Sequence, residues 1–276
     1  MALESVASPL AVSKPILSLI VPTHLRPQLL SRALASVNAQ AGRDQIEVIV
    51  VSDVIDSATD EVCANLLGKG DIYVRRNGAP GPSASRNLGL KLVRGQYTMF
   101  LDDDDAWQEG FCASLFAQWP QLPATALYFD CTVIKESRPA SGPIKLAEQA
   151  LDLRERLTLD VFVKNQVHMS CFMFSRHLLA GLEFDETMRA YEDWDFLLAV
   201  FSRQMPIHLP IACSLVSEVD DTTTDRRGSS AAATNFNAVI DYLYVYRRHA
   251  APTPEIQLQR KSMLAVAGLD LPQQLL

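Results

Sequence analysis

Along the first hundred residues, short runs of aliphatic and β-branched residues alternate with segments whose apolar positions recur every three or four residues. The first kind of run suits buried strands and the second suits amphipathic helices, so the alternation predicts β-α-β units and an α/β domain around a mixed, mainly parallel central sheet. Residues 16–21 form the first predicted strand. Residues 27–40 form the first helix, with Leu30, Ala33, Leu34 and Val37 on one face and Pro27 in the first turn, where its missing N–H costs nothing. Further strands are predicted at 47–51, 72–74 and 97–101, and helices at 59–67 and 83–93. Ligands collect at the carboxyl edge of such a sheet. Three polar clusters fall on that edge: Thr23 to Arg26, Ser52 with Asp53, and the four consecutive aspartates Asp102 to Asp105.

After Trp107 the periodicity becomes mixed. It predicts a helix at 110–119, a strand at 126–134, a turn-rich loop at 137–143, a strand at 166–175, a helix at 193–201 and a strand at 207–216. Residues 220–230 are polar and read as an exposed loop, and the apolar positions Ala233, Phe236, Ile240, Leu243 and Tyr246 mark a long amphipathic helix. The division expected is a frayed tail at 1–14, a ligand-binding half at 15–107, a second half of the same domain at 108–230 and C-terminal helices at 231–276.

The 276 residues carry 48% hydrophobic and 21% charged residues, which suits a folded α/β domain and excludes low-complexity and collagen-like classes. With 25 basic against 32 acidic residues, the net charge of −7 opposes a broad nucleic-acid-binding face. No apolar run approaches the roughly 20 residues needed to span a bilayer, and residues 1–13 lack a secretory pattern. Five scattered cysteines form neither a disulfide framework nor a thiolate metal motif, and the five histidines lack helical ligand spacing. Cytoplasmic residence is therefore expected. Arg247 with Arg248 is the one feature pointing to a membrane-peripheral position, although a lone basic pair reads first as a solvated helix end.

Four adjacent aspartates repel one another, a cost that a divalent cation or a helix N-terminus relieves. The two readings are evenly matched on the acidic run alone. Its context changes that: Leu17 through His24, Glu47 through Asp53, Gly81 through Gly89 and Tyr97 through Asp105 occur in one fixed order, and Tyr191-Glu192-Asp193-Trp194-Asp195-Phe196 follows later. Together these segments resemble the family 2 glycosyltransferases, enzymes of the Rossmann-like glycosyltransferase A fold that use nucleotide sugars.

The resemblance implies a role for each matching residue. Asp53 corresponds to the aspartate that accepts a hydrogen bond from the nucleotide base, and Pro22 and Thr23 line the same pocket. Arg86 reaches the diphosphate. Asp102 and Asp103 face the nucleotide sugar, and Asp102 and Asp104 hold Mn2+ or Mg2+, with Asp104 the first choice as direct ligand. Asp193 is the expected general base, and Asp195 is its rival. The segment Ser52-Asp53-Val54 departs from the family's usual acid pair, which leaves the base open although a UDP sugar is expected. The function implied is inverting, metal-dependent transfer of a sugar to a hydroxyl of a glycan, lipid-linked saccharide or protein, with homo-oligomerisation left open. Two alternatives stand beside it: a catalytically silent nucleotide- or glycan-binding relative, and a sugar-phosphate nucleotidyltransferase. The latter calls for a glycine-rich basic loop after the first strand, which residues 22–27 do not supply.

Overall fold

The computed structural model describes residues 14–139, 141–188, 190–219, 236–266 and 268–272. The expectations for residues 1–13 and for the loop at 220–230 lie outside these described residues.

Strands β1 (Leu17–Thr23), β2 (Ile46–Ser52), β3 (Ile72–Arg75) and β4 (Tyr97–Phe100) pair in parallel in the order β3-β2-β1-β4. Helices α1 (Pro27–Asn38), α2 (Ser57–Leu66) and α3 (Pro82–Leu92) connect them. β1 and β2 are buried along their whole length, as a sheet covered on both faces requires. Side chains alternate between those faces. Leu19, Val48, Val50 and Met99 pack with Leu30, Ala33 and Leu34 of α1 and Cys63 of α2. Ile20, Ile49 and Phe100 face the opposite layer. There α3 lies so close to β1 that a Cβ at Gly89 would come within 2.5 Å of Ile20 Cγ2. Pro27 and Pro82 occupy first-turn positions of α1 and α3, and the Asp56 side chain caps α2 by accepting from Thr59 N–H at 3.0 Å.

The second half extends this sheet to nine strands through β5 (Ala106–Trp107), β6 (Ala126–Ser137), β7 (Ile144–Leu151), β8 (Phe172–Ser175) and β9 (Ile207–Val219). β8 runs antiparallel between β4 and β6, so β6 and its parallel neighbour β9 point the same way as β4. Their carboxyl ends therefore reach the edge that carries the acidic run. α4 (Phe111–Phe116) joins the α1 layer, while α5 (Glu192–Phe201), α6 (Phe236–Arg248) and α7 (Pro254–Val266) cover the other face. Trp107 and Trp194 are core residues, and the Trp194 indole N–H donates to the Val161 carbonyl at 2.7 Å.

Several expectations need correction. Residues 166–175 are not one strand but a 3-10 turn, Met169–Cys171, followed by the short β8. The 110–119 helix is only α4, six residues long. The loop after β6 is the tip of a hairpin whose second arm, β7, the apolar pattern did not reveal. Nearly every β7 residue is exposed, so no buried alternation marks it.

Candidate active site

β1, β2 and β4 end together, and their last residues and following turns meet. At the end of β1, the Thr23 hydroxyl donates to Asp103 Oδ2 at 2.7 Å. Arg26, two residues past His24, donates from Nε to the same oxygen at 3.2 Å and places Nη1 3.3 Å from Asp104 Oδ2. Asp103 is fully buried. Expected to face the nucleotide sugar, it instead turns inward and braces Thr23 and Arg26. Burial pushes its pKa up to about 6 against the pull of Arg26.

Asp105 is also buried. It accepts from Ser217 N–H at 2.9 Å and from the Ser170 hydroxyl at 2.7 Å, which ties the acidic run to β9 and to the 3-10 turn. Burial, then repulsion by Asp104 and Asp102, holds its pKa well above the usual carboxylate range. Two aspartates are thus structural, leaving Asp102 and Asp104 turned outward with side chains 39% and 14% exposed.

Besides Arg26, two arginines that no local pattern singled out reach Asp104. Arg138, at the hairpin tip, donates to its Oδ2 at 3.0 Å and to Glu136 Oε1 at 2.7 Å. Arg32 on α1 bonds Glu136 Oε2 at 2.7 Å, the Asp104 carbonyl at 2.5 Å and the Ser217 hydroxyl at 3.0 Å. These contacts bind β6, β9 and α1 around the Glu136 carboxylate and the Asp104 backbone.

Arg86 makes the link to the second acidic motif. Held in the first turns of α3 and buried over the Phe184 ring at 5.3 Å, it donates to Asp102 at 2.6 Å and to Glu192 at 3.3 Å. Burial opposes the guanidinium charge, but Asp102 and Glu192 outweigh it and raise its pKa. Asp193 sits beside this bridge in the first turn of α5, where its carboxylate accepts Trp194 N–H at 2.7 Å. Burial, then repulsion from Glu192, pushes its pKa up to about 6, while Arg86 pulls it down. Asp195 has a different fate. It is buried, ion-paired to Arg248 and hydrogen-bonded to His249 Nε2, both at 2.8 Å, so the rival carboxylate is spent on docking α6.

Asp53, at the end of β2, bonds His24 Nδ1 at 2.5 Å and accepts Gly81 N–H at 2.7 Å, which fixes the loop entering α3. Pro22 and Thr23 are buried beneath this corner. Among the described residues, Leu25 (φ 50°) and Tyr191 (φ 62°) are the non-glycine residues in the left-handed region. Each costs of order 1–2 kcal/mol. They stand immediately before Arg26 and Glu192, so backbone strain is confined to the turns that deliver these two residues.

A curled α/β sheet with an acidic strand end joined through an arginine to an acidic helix start defines a nucleotide-sugar-type site on a glycosyltransferase A fold. The chain belongs to this class: the Glycosyl transferase family 2 profile matches residues 18–181, and the protein is a member of that family. It is similar to the GalNAc(5)-diNAcBac-PP-undecaprenol beta-1,3-glucosyltransferase of Campylobacter jejuni, at 28% identity over 176 residues. That match covers 62% of this chain and about half, 55%, of the relative's length. In structure it resembles S. aureus TarS 1-349 in complex with UDP-GlcNAc, with a TM-score of 0.67, 16% identity and coverage of 90% of this chain and 71% of the other. It also resembles the mannosyltransferase PcManGT of Pyrobaculum calidifontis in complex with GDP-Man and Mn2+, with a TM-score of 0.58, 18% identity and coverage of 95% and 78%.

Proposed function

We propose that the protein is an inverting, metal-dependent glycosyltransferase that moves a sugar from a UDP-linked donor to a hydroxyl of a glycan, lipid-linked saccharide or protein. The observation that carries this reading is the Arg86 bridge, which brings Asp102 and Glu192 to one guanidinium and sets Asp193 beside it. UDP-GlcNAc in the TarS complex supports the donor class. The undecaprenol-linked substrate named for the Campylobacter relative supports a lipid-linked acceptor.

Asp53 accepts from the nucleotide base while His24 and Gly81 hold its carboxylate in place. Arg86 contributes charge-assisted bonds to the diphosphate. Asp102 and Asp104 suit a hard divalent cation, because Mg2+ and Mn2+ take carboxylate oxygens and need only one or two from the protein. Such an ion, when bound, neutralises charge on the departing diphosphate. Asp193 takes the proton from the acceptor hydroxyl as that oxygen attacks the anomeric carbon. The bond from that carbon to the diphosphate breaks, its electron pair leaves with UDP, and the configuration inverts.

The test is to incubate the protein with Mn2+ and a panel of nucleotide sugars while following released nucleoside diphosphate, since slow transfer to water needs no identified acceptor. The proposal expects release from a UDP sugar that Asp104→Asn and Asp193→Asn each depress. Release that neither substitution changes refutes it.

A further inference from the structure

Asp130 on β6, Asp152 just past β7 and His208 on β9 bring two carboxylates and an imidazole together, with one donor atom from each lying within 4.8 Å of the others. They come from three separate segments. His208 Nε2 lies 2.8 Å from Asp130 Oδ1, and Asp130 Oδ1 also accepts Leu153 N–H at 2.8 Å. Asp152 Oδ1 accepts Arg154 N–H at 2.9 Å. The His208 side chain is only 9% exposed and its ring packs against Tyr128 at 4.9 Å, so its orientation is set by the core.

The cluster is distant from the candidate active site. Ser217, which touches the acidic run, is nine residues further along β9 than His208, and Glu136 is six residues beyond Asp130. At about 3.3 Å per residue these separations are roughly 30 and 20 Å.

The geometry points to a second, structural cation site at Asp130, Asp152 and His208 that takes a first-row divalent transition metal such as Zn2+. Two observations beyond proximity support it. The first is charge: among the described residues no lysine or arginine ion-pairs with either carboxylate, and the one side chain bonded to Asp130 is the His208 imidazole. The second is rigidity. The pairing of β6 with β9 shifts register on both sides of Asp130, and at this irregularity the Asp130 carboxylate meets the His208 imidazole. Ligands about 2.0–2.2 Å from a common ion lie roughly 3–4 Å apart, so the ion takes the place of the 2.8 Å Asp130–His208 hydrogen bond, these two donors part by less than about 1 Å, the exposed Asp152 rotates in and water fills the fourth position. One imidazole with two carboxylates selects zinc or cobalt over magnesium. The ion staples β6, β9 and the segment after β7 where the ladder is interrupted.

The experiment uses the full chain: calorimetric titration with Zn2+, the visible absorption of bound Co2+, and thermal unfolding with and without Zn2+. Wild type, Asp104→Asn, Asp152→Asn and His208→Gln are compared. The site predicts a low-coordinate cobalt spectrum in wild type that persists in Asp104→Asn. It also predicts affinity at least about tenfold weaker in Asp152→Asn, together with loss of the Zn2+-induced rise in unfolding temperature. Asp152 is exposed, so this variant folds even if His208→Gln does not. A wild-type protein without the cobalt spectrum, unchanged affinity in Asp152→Asn, or a spectrum abolished by Asp104→Asn overturns the proposal. Because Asp104→Asn removes the other acidic site, failure here is distinguishable from failure of the proposed transferase activity.

Discussion

Acidification through pH 6 perturbs Asp193 directly, and the structure sets the size of the effect. Burial and Glu192 place its pKa at about 6 instead of the ordinary 3.8. A group with that pKa is about nine-tenths ionised at pH 7 and about one-tenth ionised at pH 5. If the carboxylate accepts the acceptor's proton, turnover at saturating donor falls about tenfold across this window and then tenfold per unit below it. An unperturbed aspartate would lose only about a twentieth of its ionised form over the same range. Unfolding does not mimic this loss through Asp193. A carboxyl whose folded pKa is raised adds stability that is full below its unfolded pKa and is lost as pH rises through about 6, so acid favours the fold at this residue.

The assay is nucleotide release from a UDP sugar between pH 5 and 8 for wild type, Asp193→Asn and Asp195→Asn. Asp193→Asn is expected to lose about 100- to 10,000-fold and its residual rate to lose the acid limb. Asp195→Asn, which breaks the tie to Arg248 and His249, lowers stability but keeps the limb. A flat wild-type profile from pH 5 to 7, or an Asp193→Asn rate within about threefold of wild type, refutes the assignment.

Other substitutions probe the surrounding shell. Arg86→Gln removes the charge that holds Asp193 down, so kcat/KM is expected to fall at least about tenfold and the acid limb to move to higher pH; a profile that stays in place contradicts the bridge. Arg138→Ala takes a competing cation from Asp104, and Mn2+ binding without nucleotide is expected to tighten by about fivefold, near 1 kcal/mol; weaker Mn2+ binding would contradict this. Gly89→Ala forces a methyl onto Ile20 and is expected to cost about 1–3 kcal/mol by denaturant titration, so an unchanged midpoint would show that α3 can retreat from β1.

The parallel half of the sheet was legible because its strands are buried on both faces and therefore appear as short continuous apolar runs, such as Val48 to Val51 within β2. The acidic run was legible for the opposite reason, since four like charges at a strand end demand an explanation. What local pattern does not carry is pairing across distance. The edge cluster Thr23 to Arg26 brought Arg26 near the acidic run, but Arg32 on α1 and Arg138 at a hairpin tip also approach Asp104, and nothing in their neighbours foretells it. Asp193 and Asp195 are equivalent in the sequence as acids opening a helix, and only the docking of α6 separates them by occupying Asp195. Asp130 and His208, 78 residues apart, meet because β6 and β9 are neighbours in the sheet. β7 left no signal because its residues are nearly all exposed.

The unity of the acidic run, Asp53 and α5 as one nucleotide-binding centre is tested most directly by a crystal structure of the protein with UDP and Mn2+, using the manganese anomalous signal to locate the ion. The expected result is an ion between the diphosphate and the carboxylates of Asp102 and Asp104, with the base against Asp53. An ion found solely at Asp130, Asp152 and His208, or a nucleotide seated away from the ends of β1, β2 and β4, would contradict it.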